Sequence, residues 1–413
     1  MRIIANELKK IWNVKTLIII ALLSTLFFTS MSGYLMHYPR GTWLSGVDFA
    51  HHLTERYGTT LKREDFEDFL NYREVIVEEL NPFFQSNTLL AQAGIFNYND
   101  LDDLRQDFGM RYDTLSDEER SLLHLTSLEL GYIVRTEQYG DLVSVNETPI
   151  AYIKMRSFSN IVGLYQSNIL GDTTWGSHID SFIQHSPLSE RETRRLIEIR
   201  DSGELLNIMD QDTIFIAWRY GLNLAILIIL VTLTLVSPLI TTDRANKVNW
   251  LQYSSKQGRK ILKKQFIAVL ISSLGMTTIL VIIFGGIFGT TEAQALWNNG
   301  INSFMSFPYH WLSITYGQYI LLITGIIYLL SIGASAFAFV LSRLSQNVVK
   351  LMFKVIPLFV AAMLLSHWVL SEFLAIYLGG NIFGQMLAVV LLPVAGLISA
   401  AFVVRREIRA ELR

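Results

Sequence analysis

The chain has 413 residues, of which 51% are hydrophobic and 17% are charged, and its mean hydropathy is +0.35. Soluble domains carry about a quarter charged residues, so this composition favours a membrane protein. The absence of cysteine excludes a disulfide scaffold, a cysteine-ligated metal site and a thiol nucleophile. A formal net charge of −2 gives no overall basic footprint for nucleic acid, and we expect none to bind.

The N-terminal region, 1–36, combines a short basic segment with an apolar run. Ile4, Leu8, Ile11 and Trp12 share one helical face, which predicts an amphipathic helix lying in the membrane interface. The alternative is a simple cytosolic extension of the first span. The charge-free run that begins at Thr16 is long enough to cross a bilayer. Because no small-residue cleavage site follows this run, we interpret it as an uncleaved signal anchor.

Five further apolar segments reach the length of about 20 residues that a membrane-spanning helix needs. They cover 214–240, 266–289, 319–341, 351–370 and 383–404. Lys and Arg in short flanks set the orientation of such helices. Seventeen Lys and Arg residues lie in the N-terminal flank, in the loops 241–265 and 342–350 and in the C-terminal tail. The loops 290–318 and 371–382 hold none. This split predicts a multi-pass protein of a bacterial cytoplasmic membrane with both termini in the cytoplasm.

Residues 37–213 are predicted to be an extracytoplasmic domain between the first and second spans. They hold 30 of the 36 acidic residues and a local net charge of −15. A helix cap at Thr60 and capping boxes at Ser116 and Ser189 predict helices. The range 141–170 is rich in Val, Ile and Tyr, which favours strands. The predicted fold class is therefore a membrane all-α protein of six transmembrane helices with a mainly helical α+β extracytoplasmic domain.

This outer domain shows no catalytic or metal-binding motif in its sequence. His51 and His52 are adjacent, so on a helix their side chains diverge by about 100° and cannot share a metal ion. The acidic run 64–68 lacks the spacing and the glycine of an EF-hand loop. The excess of acidic residues either collects a cationic peptide or metal ions, repels anionic lipid, or serves solubility.

Three charged residues lie within or beside the predicted spans, where charge is costly and often functional. Arg219 is expected to extend to the outer headgroups. The alternative pairs it with Glu372 at the outer end of the fifth span. Lys354 enters the fifth span from the cytoplasm and is expected to extend to the inner headgroups. No series of acids or histidines crosses the bilayer, which argues against a proton-driven transporter.

Small residues and helix breakers characterise the last three spans. Gly333 in the fourth span and Gly396 in the sixth lie among other small residues, a pattern that allows close packing of helices. Gly379 and Gly380 interrupt the segment 371–382, which is predicted to dip back into the outer leaflet. The small residues accompanying the two glycines are Ser331, Ser335, Ala338, Ala400 and Ala401.

The loop 241–265 is the most informative cytoplasmic segment. An acidic residue, Asp243, opens it, and Trp250, Leu251 and Tyr253 form an apolar cluster in an otherwise polar sequence. An apolar cluster on a short cytoplasmic helix is typical of a docking surface for a partner protein.

This loop resembles that of the ABC type-2 permeases, the membrane subunits of ATP-binding-cassette exporters. In that family an acid follows the second span, and a short coupling helix, a Leu-x-x-Ser-like stretch, an Arg and a Lys come before the third. The corresponding residues here are Asp243, Leu251, Ser254–Ser255, Arg259 and Lys263 or Lys264. The N-terminal amphipathic helix and the six spans are also similar to that family. Aspartate stands where the family more often has glutamate, and no glycine follows it before the tryptophan.

The resemblance implies a permease that pairs with a second permease chain, the same or different, and with ATPase subunits that bind ATP and Mg²⁺. Coupling to the ATPase would fall on Asp243, Trp250, Leu251, Tyr253 and Arg259. The chain has no phosphate-binding Gly-x-x-x-x-Gly-Lys-Ser/Thr loop, so we expect a transport subunit that is not itself an enzyme and holds no cofactor. Its substrate would be amphiphilic: a cationic peptide, a lipid-linked molecule or a drug. The alternative is a non-transporting receptor or assembly scaffold in contact with membrane lipid, partnered by a histidine kinase or a cell-wall enzyme.

Overall fold

The computed structural model forms two compact units. The structure describes residues 2–36, 46–86, 96–100, 103, 116, 150–171, 178–248, 258–376 and 382–409. The membrane unit comprises Met1–Arg40, Asp212–Ile301 and Pro308–Arg413. The insert unit comprises Gly41–Gln211 together with Asn302–Phe307. The described residues contain helices and isolated backbone bridges but no strand.

Six helices of the described chain are long and apolar enough to cross a membrane, which confirms the predicted number of spans. Numbered as spans 1 to 6, they are Val14–Met36, Gln211–Ala245, Ile261–Phe288, Tyr316–Arg343, Val348–Leu370 and Ile382–Arg409. The described structure is therefore that of a multi-pass membrane protein.

A separate helix, α1 (Arg2–Ile11), precedes span 1. The backbone of Asn13 is extended, and its side-chain oxygen accepts a hydrogen bond of 2.9 Å from the amide of Thr16. This is the geometry of an N-cap, which satisfies an amide that the first turn leaves without a helical partner. Because the cap starts a new helix, α1 is not a continuous extension of span 1.

Span 2 is built from two consecutive helices. The first is Gln211–Val236, and the second, which we call the span 2 extension, is Pro238–Ala245. Proline lacks an amide hydrogen and is favoured in the first turn of a helix, where that hydrogen would have no helical acceptor, so Pro238 suits the start of the second helix.

Spans 4 and 6 pack closely against each other, and small residues of both helices lie at their contact. A Cβ atom added at Gly333 would lie 2.9 Å from Cγ of Leu392, and one added at Gly396 would lie 3.0 Å from the carbonyl oxygen of Gly333. Ser331, Ser335, Ala338 and Ala400 are buried as well. The two helices approach to a distance at which only glycine fits without displacement of its neighbours.

Replacing Gly396 with valine is expected to lower the free energy of unfolding by about 1–3 kcal/mol, because the added atoms would separate spans 4 and 6. The matched control is Gly325→Val in span 4, where an added Cβ would meet no atom within 4 Å. The midpoint of thermal unfolding of the full chain, purified in one detergent, measures the difference. Equal midpoints for the two variants would contradict the close packing.

A cluster of hydroxyl groups joins spans 2, 3 and 4 inside the membrane unit. Oγ of Ser331 lies 2.8 Å from Oγ of Ser273, 2.8 Å from Oγ1 of Thr277 and 3.2 Å from Oγ1 of Thr232. All four side chains are buried. Hydrogen bonds between apolar helices contribute about 0.6–2 kcal/mol each, so Ser331 is a polar link as well as a small residue.

Two loops of the membrane unit pair at the end of the spans that is predicted to face outward. The amide of Trp311 donates to the carbonyl of Leu374 at 2.9 Å, and the amide of Ile376 donates to the carbonyl of Tyr309 at 2.6 Å. Between the paired residues, His310 is buried, and its burial lowers its pKa to about 3, so the imidazole is neutral at physiological pH. Of the segment 371–382, the part 377–381 lies outside the described residues.

The described part of the insert unit matches the helical part of the predicted α+β class but not its strands. The capping box at Ser189 is present, with the amide of Glu192 donating to Oγ of Ser189 and the amide of Ser189 donating to the Glu192 carboxylate. Strands predicted for 141–170 are wrong where the structure describes that range, because Ile150–Tyr165 is a helix. The helices are Gly46–Tyr57, Phe66–Ser86, Ile150–Tyr165, His178–His185 and Glu190–Asp201.

Helical spacing explains the failed strand prediction. Met155, Phe158, Ile161 and Tyr165 are buried at intervals of three and four residues, which is one face of a helix. Branched and aromatic residues favour strands only weakly, and packing overrides that preference. Residues 141–149 and most of the helix predicted from Ser116 lie outside the described residues.

The helix predicted from Thr60 begins later in the structure. A single 3₁₀ turn covers Arg63–Asp65, and the α-helix starts at Phe66. Phe69 is buried on the core face of this helix, whereas the side chain of Leu70 is 37% exposed. The later start leaves Thr60 ahead of the helix, so it cannot be its cap.

A six-residue segment from the loop between spans 3 and 4, Asn302–Phe307, belongs to the insert unit; we call it the strap. Phe304 is 1% exposed, its amide donates to the carbonyl of Leu205 at 2.8 Å, and its ring meets the ring of Tyr165 edge-on at 5.1 Å. Oγ of Ser303 donates to the carbonyl of Asn207 at 2.6 Å. The strap therefore completes the core of a unit whose other residues, Gly41–Gln211, all come before span 3 in the sequence.

Candidate functional site

Asp243, the acid that opens the informative loop, lies in a buried polar cluster of the membrane unit. The cluster, which we call the polar quartet, consists of Glu7, Lys10, Asp243 and Gln265. These residues come from α1, the span 2 extension and the first turns of span 3. The quartet thus joins three segments that are far apart in the sequence.

Each carboxylate of the quartet has two side-chain donors. Nζ of Lys10 lies 2.9 Å from Oε1 of Glu7 and 3.1 Å from Oδ1 of Asp243. Nε2 of Gln265 donates to Oε2 of Glu7 at 3.2 Å and to Oδ2 of Asp243 at 3.0 Å. Buried carboxylates are stable only when they are paired and hydrogen-bonded, and this arrangement meets both conditions.

Burial differs within the quartet. The side chains of Glu7 and Asp243 are 3% and 7% exposed, whereas that of Lys10 is 37% exposed. Partial burial by itself lowers the pKa of Lys10, but the hydrogen bonds and the charges of Glu7 and Asp243 outweigh it and raise the pKa above 10.5. Lys10 therefore carries its positive charge at physiological pH and offsets part of the negative charge of the two carboxylates.

The residue after Asp243 links the span 2 extension to span 4. Nη2 of Arg244 donates to the carbonyl of Arg343 at 2.7 Å, and Nη1 donates to the carbonyl of Ser345. Nζ of Lys354 donates to the carbonyl between them, that of Leu344, at 3.0 Å. The last carbonyls of a helix lack amide partners and carry partial negative charge, so cationic side chains stabilise them.

Trp12 attaches α1 to span 3 beyond the quartet. Its indole Nε1 donates to Oγ of Ser272 at 3.0 Å, and its ring lies 3.5 Å from the position of a Cβ added at Gly275. Ile11 and Glu7 form the buried side of α1. The N-terminal helix is thus packed against span 3, and its position is fixed by protein contacts.

The structure describes some of the predicted coupling residues and not others. Asp243 is buried, so its carboxylate is directed into the protein and does not form an exposed docking surface. Trp250, Leu251 and Tyr253 lie outside the described residues. Arg259 is in the 3₁₀ turn Gly258–Lys260 that leads into span 3.

The charged residues predicted within or beside the spans lie in different environments. The guanidinium of Arg219 lies over the rings of Phe215 and Tyr34, and among the described residues it forms no ion pair with Glu372. Glu372 has a left-handed backbone, with φ of 49°. The exposed Lys354 is bound to the end of span 4. The described contacts therefore do not support the alternative pairing of Arg219 with Glu372.

The described part of the insert unit contains no group of three or more His, Asp or Glu that could hold a metal ion. His52 is packed against the ring of Tyr72, with centroids 4.8 Å apart, and burial lowers its pKa. The contact identifies His52 as a packing residue.

Sequence reasoning missed Glu7 and Gln265 and treated Lys10 and Arg244 only as basic flanking residues. The sequence nevertheless contains an indication of this cluster. Glu7 is the only acid in residues 1–36, and Asp243 is the only acid in 213–291. A lone acid in a basic segment is a candidate for an ion pair, although only the fold identifies its partner.

A scan against protein-family models and searches of curated proteins and solved structures find no match to this chain.

Proposed function

We propose that this chain is the permease subunit of an ATP-driven exporter, similar to the ABC type-2 permeases, and that loop 241–265 receives the movement of a separate ATPase subunit. The observation that carries the proposal is the position of Asp243. The acid at the start of the candidate docking loop is held, through the polar quartet, to α1 and to the base of span 3. A displacement of the loop would therefore act on the spans directly.

The contacts of the span 2 extension support this route. Asp243 connects it to α1 and span 3, and the neighbouring Arg244 connects it to the end of span 4. An ion pair of 2.7 Å between Arg343 and Glu407 continues from span 4 to span 6. Charges that are hydrogen-bonded and partly shielded from water resist separation, so a push on the extension moves these helices together. Such a movement is what alternating exposure of a transmembrane pathway requires.

The chemical work in this proposal belongs to another polypeptide. The chain lacks a phosphate-binding loop, so hydrolysis of ATP with Mg²⁺ takes place on the partner ATPase. A second permease chain completes the pathway. The substrate is amphiphilic, and the net charge of −15 over 37–213 favours a cationic peptide among the candidates.

Purification of the tagged full chain from its native membranes in mild detergent tests the proposal. The expected result is stoichiometric recovery of a protein with a P-loop ATPase sequence, identified by mass spectrometry. Recovery of a histidine kinase or an envelope enzyme with no ATPase would overturn the proposal and favour the receptor or scaffold.

The docking surface itself is tested by Trp250→Asp. We expect recovery of the ATPase to fall at least tenfold, because an acid removes an apolar anchor that a partner would bury. Val349→Asp is the matched control, since it also introduces an acid at an apolar position, one that is 63% exposed in the first turn of span 5 at the same predicted cytoplasmic end. Equal recovery of the ATPase with both variants would contradict the role of Trp250.

A further inference from the structure

Arg219 occupies a defined level in the membrane unit. It is eight residues after the start of span 2 at Gln211, and it directly precedes the uncharged run 220–242. A helix of that run is about 35 Å long, close to the thickness of roughly 30 Å of the hydrocarbon core. The guanidinium therefore lies at the level of the headgroups, at the end predicted to face outward.

Two aromatic rings hold the guanidinium of Arg219. Its Cζ lies 5.3 Å from the ring centroid of Phe215, one turn earlier on span 2, and 5.9 Å from that of Tyr34, at the end of span 1. Trp218 supports Phe215 edge-on at 5.2 Å. Contact with the face of a ring stabilises the positive charge but uses none of the guanidinium N–H groups.

The N–H groups of Arg219 have no protein acceptor among the described residues. The other basic residues of 212–413 all lie at the opposite, predicted cytoplasmic end, so no second cation of this range competes for an anion there. Tyr34 is 44% exposed, Phe215 is 39% exposed and the adjoining Met31 is 46% exposed. The donors are thus bordered by accessible apolar surface.

We propose that Arg219, together with Tyr34 and Phe215, binds the phosphate group of an anionic phospholipid. The planar guanidinium donates two parallel hydrogen bonds to phosphate oxygens, a geometry that a point charge does not provide. The apolar surface beside it contacts the acyl chains, which inorganic phosphate lacks. The site does not depend on the proposed transport function.

Native mass spectrometry of the full chain, released from detergent micelles that contain phosphatidylglycerol, tests the site. The lipid retained by the wild type is compared with that retained by Arg219→Gln. The matched control is Arg406→Gln, which removes the same charge from an exposed position at the other end of the spans. Tyr34→Leu keeps the charge and removes one ring, so it provides an independent variant if Arg219→Gln fails to fold.

We expect Arg219→Gln to lower the retention of phosphatidylglycerol about tenfold, Tyr34→Leu to lower it about twofold to fivefold, and Arg406→Gln to leave it unchanged. Inorganic phosphate at the lipid concentration should not displace the lipid. Equal retention by the wild type, Arg219→Gln and Tyr34→Leu would overturn the proposal. Equal losses of lipid with Arg219→Gln and Arg406→Gln would indicate general charge attraction. Displacement of the lipid by inorganic phosphate would indicate an anion site without lipid specificity. Either result would also overturn the proposal.

Discussion

Replacing Lys10 with methionine is expected to lower the free energy of unfolding by about 3 kcal/mol. The carboxylates of Glu7 and Asp243 would stay buried with Gln265 as the remaining donor of the quartet. Removing one member of a buried ion pair costs about 3–5 kcal/mol, and the low end applies because water reaches the Lys10 ammonium group. The midpoint of thermal unfolding and hydrogen exchange in α1 measure the change.

Lys9→Met is the matched control for Lys10→Met. It removes the same charge from the neighbouring position of α1, where the side chain is exposed. The control should leave the unfolding midpoint and the exchange of α1 near the wild-type values. If both variants unfold at the same temperature, the quartet does not hold α1 in place.

The quartet also predicts a pH dependence. Because the pKa of Lys10 is raised in the folded state, its contribution to stability is complete below the ordinary pKa of 10.5 and is lost as the pH rises through the higher folded value. The difference in unfolding midpoint between the wild type and Lys10→Met should therefore be constant near neutral pH and shrink in strong alkali. A difference that shrinks between pH 6 and pH 8 would assign the effect to another group.

Replacing Phe304 with alanine is expected to destabilise the insert unit by about 3–5 kcal/mol, because it empties a position that is 1% exposed and beside the ring of Tyr165. Hydrogen exchange of the full chain should rise in Ile150–Tyr165. The exchange of spans 4 and 6 should change little. This pattern would identify the strap as part of the insert unit's core, although it is encoded between spans 3 and 4.

Phe307→Ala provides the comparison within the strap. Phe307 is 39% exposed and meets Phe182 edge-on at 5.1 Å. Its loss should cost about 1 kcal/mol, the value of an aromatic contact with modest burial. Identical exchange in the wild type and Phe304→Ala would mean that the insert unit is complete without the strap.

The variants Lys10→Met and Phe304→Ala act on different units of the fold. Lys10→Met acts on the quartet contacts between α1, the span 2 extension and span 3, whereas Phe304→Ala acts on a buried residue of the insert unit.

The sequence by itself determined the membrane architecture. Hydropathy is a property of each segment, and a run of about 20 apolar residues has few alternatives to crossing the bilayer. The six spans were therefore predicted with end shifts of at most five residues. The small residues around Gly333 and Gly396 also indicated close packing of helices, although the structure alone shows that spans 4 and 6 are the pair in contact.

Only the tertiary structure decided the composition of the site. Glu7 and Asp243 are separated by more than 230 positions, and both contact Lys10. No local sequence pattern specifies that two such distant acids share one lysine. The strap is similar, since Asn302–Phe307 lies in a loop between two spans and becomes part of a core only through contacts with Leu205 and Tyr165. Pairing and burial of this kind depend on the whole fold, whereas length and hydropathy of a span depend on its own residues.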